Sequence, residues 1–332
     1  VNAVDFEHRT PLHLAIMNDK EDVVKTLMRH PNINFNIQDI KGKTVVHYVA
    51  ESKNRRIVPL ILEAKPHHNI DVNLPDKKGN SPFHYFCKPA NFDQKILRYV
   101  LCLPQINPNI LNKNETNELI HAVDKKKRIN IISTLLESKR VDVNYQTEKR
   151  KESALMMAVK NDSKDELELL LSKANGIDTN LQDYKMRTVL HIAVFNFSKN
   201  SLRILLQCPD VDMNVFDEDG LTPLFLVFSR KAKGYLELFL YANETRKLAD
   251  NNNLIDFSIC DSFHQNLLLY SIKSKYYSGV QYFLRVYDIN EGNSKGTNSF
   301  HLACATGVSR LVEFLVESLG ILIIWPGPFI NL

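Results

Sequence analysis

Ile33-Asn34-Phe35-Asn36 is a phrase that this chain repeats, and it decides the fold. It returns as Ile70-Asp71-Val72-Asn73, Ile106-Asn107-Pro108-Asn109, Val141-Asp142-Val143-Asn144, Ile177-Asp178-Thr179-Asn180 and Val211-Asp212-Met213-Asn214. Weaker copies stand at Ile255-Asp256-Phe257-Ser258 and Tyr287-Asp288-Ile289-Asn290. The first six copies fall 34 to 37 residues apart, so one supersecondary unit is used again and again. A stack of such units presents a long surface and, by itself, no reaction centre.

Downstream of each phrase comes a turn, clearest in Asp39-Ile40-Lys41-Gly42, Asp76-Lys77-Lys78-Gly79 and Asp217-Glu218-Asp219-Gly220. Asp closes such a turn with its side chain, and Gly takes the positive φ that other residues resist. A helix start follows, as in Thr10-Pro11, Ser81-Pro82 and Thr222-Pro223. The hydroxyl serves as N-cap, and proline sits where its missing N–H costs nothing. A second helical pattern then carries apolar residues at i, i+3 and i+4. It runs from Val24, Leu27 and Met28 through to Leu311, Phe314 and Leu315, nine times in register. Helices this short are marginal alone, so neighbouring units must stabilise one another.

Thr10-Pro11-Leu12-His13-Leu14-Ala15, with Thr188-Val189-Leu190-His191-Ile192-Ala193 and Phe300-His301-Leu302-Ala303, resembles the signature of ankyrin repeats. The resemblance implies an all-α, ankyrin-type solenoid of about nine helix-pair repeats with short β-hairpin-like loops. It places the repeat domain at 1–318, with an insertion near 243–253 that reads as a polar loop, and leaves 319–332 as a non-repeat apolar tail. That tail reads either as a cap on the last unit or as the product of truncation. The resemblance further implies that hairpin tips and first helices form a concave face that binds a protein partner. There are departures. The fourth unit lacks the Gly turn and the Thr-Pro start, and Met156, Phe225 and Leu269 replace the signature His in three others.

Bulk properties fit this reading. An apolar fraction of 44% and a charged fraction of 24% are ordinary for a folded chain, and a net charge of +4 is small for 332 residues. Five scattered cysteines make no disulfide framework and fit a reducing, cytoplasmic setting. Without an initiator Met, and with Val1-Asn2 reading as the end of a phrase, the chain is expected to be a fragment of a larger intracellular protein. Membrane attachment through flanking sequence stays open. The expected function is a protein–protein interaction scaffold. The alternatives are the cytosolic arm of an ion channel or receptor, or the substrate-recruiting module of a ubiquitin ligase or kinase assembly.

Candidate chemistry is sparse. His13, His47, His84, His121, His191 and His301 read as one register. Adjacent units stand roughly 8–10 Å apart, too far to share an ion bound at about 2 Å. They read as buried imidazoles bonding a turn or helix start. His84 with Cys87 and His301 with Cys304 read as packing, with each Cys in a small-residue position. No phosphate-binding glycine loop and no paired-Cys zinc motif occurs. No enzyme activity, cofactor or metal is expected. Two surfaces remain. Phe6, Ile40, Tyr184, Met186 and Phe263 are apolar residues in turns and are candidate partner anchors. Arg55, Arg56, Lys125, Lys126, Lys127, Arg128, Arg230, Lys231 and Lys233 fall between paired helices and read as a basic edge. Such an edge suits an acidic partner, an anionic membrane surface or RNA, or is simply a solvated face.

Overall fold

In a computed structural model the chain is described over residues 1–64, 69–125, 128–232, 234–249 and 253–318. Among the described residues there are eighteen helices in nine antiparallel pairs and no strand. They form two compact units, Val1–Asp178 and Thr179–Leu332. The first unit pairs α1 (Pro11–Met17) with α2 (Glu21–Met28), α3 (Val45–Glu51) with α4 (Ile57–Leu62), and α5 (Pro82–Phe86) with α6 (Gln94–Cys102). It continues with α7 (Glu118–Asp124) and α8 (Ile129–Leu136), then α9 (Ala154–Lys160) and α10 (Lys164–Lys173). The second unit pairs α11 (Val189–Phe195) with α12 (Lys199–Gln207) and α13 (Pro223–Ser229) with α14 (Leu236–Leu248). Its last two pairs are α15 (Leu267–Lys273) with α16 (Tyr277–Phe283), and α17 (Ser299–Ala305) with α18 (Ser309–Ser318). First helices pack on first helices, as α1 on α3 on α5 and α11 on α13 on α15 on α17, so each unit is an ankyrin-type solenoid.

The repeated phrase is the seam of each stack. Its first and third residues enter the core, as Ile33, Phe35, Val141, Val211 and Met213 do. Its second residue folds the chain back: Oδ1 of Asp71 accepts from the Asn73 N–H at 2.9 Å, and Asp142 does the same for Asn144 at 3.0 Å. Its fourth residue reaches into the next repeat. Asn36 donates from Nδ2 to the Asn69 carbonyl at 2.8 Å and accepts at Oδ1 from the Asp71 N–H at 2.9 Å. Asn73, Asn109 and Asn144 repeat both bonds within the first unit. Asn180 and Asn214 repeat them in the second. The ladder stops at Ser258, whose hydroxyl turns back to Asp256 at 2.6 Å.

Every first helix begins on a Thr, Ser or Asn N-cap. Where histidine stands three residues on, it closes a capping box. Thr10 with His13, Thr44 with His47, Ser81 with His84, Thr188 with His191 and Asn298 with His301 all do so. His47 and His191 also reach forward through Nε2, to the carbonyls of Asn80 at 3.0 Å and Leu221 at 2.9 Å. Two expectations need correction. His121 lies one position past this register, because the N-cap is Asn117 and Ile120 takes the third place. It is half-exposed and faces Glu118 at 3.3 Å instead. His301 and Cys304 are exposed, because no further helix pair among the described residues covers α17. Cys304 is therefore not a core-packing residue.

The insertion is also not simply a loop. α14 runs on through Leu248, with Asn243 and Arg246 buried. Arg246 donates to the carbonyls of Val211 (2.8 Å), Asn253 (2.9 Å), Leu206 (3.4 Å) and Cys208 (2.5 Å). Asn243 Oδ1 accepts from the Ile255 N–H at 2.8 Å. These polar side chains read as a loop because their partners are distant backbone groups that sequence does not display. The apolar tail 319–332 lies outside the described residues.

Candidate functional site

The turns between repeats form projecting fingers. Asp5, Asp39, Asp76, Asp183, Asp217 and Asp261 each organise one through Oδ1, while Asn112 and Asn293 hold the same place in two others. Asp261 Oδ1 accepts from the N–H groups of Phe263 (2.9 Å) and Gln265 (2.8 Å), while Oδ2 accepts the Tyr270 hydroxyl at 2.9 Å. Asp39 and Asp76 use the same scheme, with Tyr48 and Tyr85 as the phenols. Neighbouring fingers are tied by backbone bonds. Ile40 N–H donates to Glu7, Glu218 N–H to Lys185 and Ser294 N–H to Phe263. One glycine is strictly required by this contact: Gly42 has φ +77°, and a Cβ there would stand 2.6 Å from the Lys77 nitrogen. The fingers are thus rigid, and whatever side chain stands at a tip is held outward.

All five apolar tip residues are exposed. Phe6, fully exposed, and Ile40 stand on adjacent fingers of the first unit. Tyr184 and Met186 share one finger of the second unit, with exposed Phe216 beside the next finger. Phe263 stands on the finger after that, at the edge of a groove of about 510 Å³. Tyr270, Lys273 and Leu302 form the helix side of this groove, and Asp219 and Lys295 come from the flanking fingers. Neither Lys273 nor Lys295 pairs with a carboxylate among the described residues, so the groove is an amphipathic cleft with available cations. Sequence reading missed the groove. Its walls come from three successive repeats, and only stacking brings them together.

Residues of the basic edge are placed unevenly. Arg55 donates to the Ser52 and Asn91 carbonyls at 3.0 and 2.8 Å, tying two turns together. Arg128 is nearly buried, its Nη1 3.7 Å from buried Glu118. Arg56 is exposed, and exposed Lys125 pairs with Asp124 at 3.1 Å. Arg230 and Lys231 are exposed in the second unit. Lys126, Lys127 and Lys233 lie outside the described residues. Arg55 and Arg128 thus do structural service that a charge count does not reveal.

Burial disposes of the His84–Cys87 pair as a nucleophile and base. Burial pushes the Cys87 thiol well above its ordinary value and the His84 imidazole below its own. Among the described residues no three His, Cys, Asp or Glu side chains converge as a metal site, and no helix is long and apolar enough to cross a membrane.

Comparison with known proteins agrees with this architecture. A family model for ankyrin repeats (3 copies) matches residues 1–76, 119–217 and 155–245, together more than half of the chain. Rabankyrin-5 of Mus musculus is 38% identical over 63 residues, which is 19% of this chain and 5% of that protein. Rabankyrin-5 of Homo sapiens is 36% identical over 63 residues, with the same coverage. The chain therefore matches only a small part of the length of these relatives. Among solved structures, the ankyrin repeat domain of Bcl-3, a member of the IkappaB protein family, superimposes with a TM-score of 0.60 at 22% identity. That match covers 70% of this chain and 98% of the other. A second solved ankyrin repeat protein gives a TM-score of 0.50 at 24% identity, covering 59% and 96%.

Proposed function

The chain belongs to the ankyrin repeat family, whose repeats are protein–protein interaction modules, and from that premise we propose that it is a rigid scaffold for a protein partner. The contact lies on the fingers and groove of the second unit. The observation that carries this reading is the conjunction, within Thr179–Leu332, of exposed Tyr184, Met186 and Phe263 with the groove beside Phe263. Aromatic rings give large contact area per ordered torsion, Met adapts its flexible thioether to a partner's surface, and rigid fingers lose little entropy on association. Lys273 and Lys295 suit a partner that sets a carboxylate or backbone carbonyl against them. First-unit tips Phe6 and Ile40 offer a smaller apolar pair.

The test is capture of partners from lysate of the source cells, identified by mass spectrometry, followed by calorimetric titration of the purified partner. Replacing Tyr184, Met186 and Phe263 together by Ala is expected to weaken binding at least tenfold, as loss of interface anchors does. Unchanged affinity in that triple variant would remove the second-unit fingers from the interface.

A further inference from the structure

Beyond the finger groove, the turn between α11 and α12 carries a second surface built on two aromatic rings and two arginines. Phe195 and Phe197 are 38% and 51% exposed. Phe197 has φ +58°, a left-handed conformation that a bulky side chain adopts only under strain. Corresponding turns of this chain use Asp19, Asp162, Lys275 or Gly307 in the same conformation. The left-handed turn itself belongs to the repeat, since Lys231 and Lys275 adopt it too; what sets this copy apart is the aromatic ring it holds outward.

Arginines frame these rings. Arg187 and Arg230 both lie over Phe195, at 5.1 and 4.3 Å from its centroid, and Arg230 is 5.7 Å from that of Phe197. Their forks differ. Arg187 grips Asp183 Oδ2 through Nε at 3.0 Å and Nη2 at 2.7 Å. Arg230 makes one long bond, from Nη2 to the Phe195 carbonyl at 3.4 Å. Among the described residues no carboxylate pairs with Arg230 or with exposed Lys231 beside it. The Arg230 guanidinium, held 4.3 Å from the Phe195 centroid, keeps donors beyond its one bond to the Phe195 carbonyl, and a planar fork of this kind suits a two-pronged carboxylate. The Arg187–Asp183 pair is the filled version of that arrangement, 43 positions earlier in the chain than Arg230.

We propose that this surface is a docking site for an acidic peptide segment of a protein partner, independent of the finger groove. A Glu or Asp of the peptide enters the Arg230 fork, and an adjacent aromatic or aliphatic side chain lies on Phe197. Charge complementarity selects the acid, since two cations face solvent here without an anion. The exposed rings select an apolar neighbour and disfavour a purely polyanionic ligand.

The test is selection of a phage-displayed random dodecapeptide library on the full chain, with selected peptides measured by fluorescence anisotropy. A labelled uridine 20-mer RNA is measured in parallel. Peptides with an acid next to an aromatic or aliphatic residue are expected to be enriched. Their affinity is expected to fall at least tenfold in both Arg230→Gln and Phe197→Gly. Phe197→Gly relieves the left-handed φ but gives up the ring's edge contact with Tyr235, so its thermal midpoint is measured beside its affinity, and an unchanged midpoint assigns lost binding to the site. Arg230→Lys, which keeps the charge and loses the fork, is expected to fall between wild type and Gln. Unbiased or absent selection, binding indifferent to both variants, or RNA binding in place of acidic peptides would each overturn the proposal. Peptides lost only when Tyr184, Met186 and Phe263 become Ala would uphold the finger groove and refute this site.

Discussion

The amide of Asn73 bonds two backbone groups of the following repeat, and that doubling explains why Asn ends the phrase. Alanine removes both bonds, and a shorter polar side chain such as Ser cannot span them. The bonds are solvent-exposed, so Asn73→Ala is expected to cost about 1–2 kcal/mol, read as a lower urea midpoint. The converse is more informative. Ser258→Asn restores the missing rung and is expected to stabilise by about 1 kcal/mol; no gain would mean the ladder is incidental to stability. Histidines act at the same scale, with a sign that pH reveals. Burial holds His13, His47, His84 and His191 below the ordinary value of 6.5. Below about pH 6.5 the unfolded chain binds these protons more readily than the folded one. Their contribution is therefore complete above that pH and is lost as pH falls toward the lowered folded values. Urea midpoints are expected to drop between pH 7.5 and 5.5, by at most about 1.4 kcal/mol per pH unit for each histidine. His47→Gln is expected to flatten that slope, and an unchanged slope would assign the pH effect to other groups.

At the scale of elements, Arg246 decides where α14 ends. Four carbonyls, three from the 206–211 stretch and one from Asn253, converge on its guanidinium. Among the described residues no carboxylate forms an ion pair with it, and burial outweighs the weak favourable pull of Asp210 and Asp212. Arg246→Met keeps the stem and leaves those carbonyls unpaired. The expected cost is about 2–4 kcal/mol, less than four full charged bonds because the buried cation is itself unfavourable. A urea titration showing under about 0.5 kcal/mol would mean that water replaces the guanidinium freely. The same helix shows what sequence conceals. Apolar periodicity, N-caps and Asp–Gly turns are local signals, and they located every helix pair. The Asn243-to-Asn253 stretch carried the composition of a loop, since Asn243 and Arg246 are satisfied by backbone some 7 to 40 positions away. His121 was misplaced by one residue because Asn117 caps α7, whereas a histidine in register at 121 would need the cap at Glu118. Tip residues were legible as apolar letters in turns. The groove was not, because it exists only once fingers from successive repeats stand side by side. Phe195 and Phe197 carry no mark in the sequence that singles them out; their exposure follows from helix phase and from the turn that Phe197 occupies.

At the scale of the whole molecule, each compact unit carries its own core. Residues 1–178 hold five helix pairs, with Leu12, Ile61, Leu97, Ile132 and Leu170 all buried. A repeat array needs roughly three units to bury a continuous core. The fragment 1–178 is therefore expected to give a helical circular dichroism spectrum and a cooperative urea transition by itself. A featureless melt would show that its stability depends on the rest of the chain. Binding is expected to divide differently from stability. A ligand on rigid fingers protects the backbone amides it covers without reorganising the stack, so hydrogen exchange of the full chain reads the footprint directly. With the captured partner bound, slowed exchange is expected in the second-unit fingers around 183–187, 217–221, 261–265 and 293–297. Fingers around 5–9 and 39–43 should exchange as in the free chain. Finger amides bonded to Asp183, Asp217 and Asp261 are expected to exchange slowly even in the free chain, so the informative amides are those at the tips, Tyr184 and Ser262 among them. Protection confined to the first unit would move the interface to Phe6 and Ile40. Protection at 195–199 and 230–232 without the fingers would leave the Arg230 surface as the principal contact.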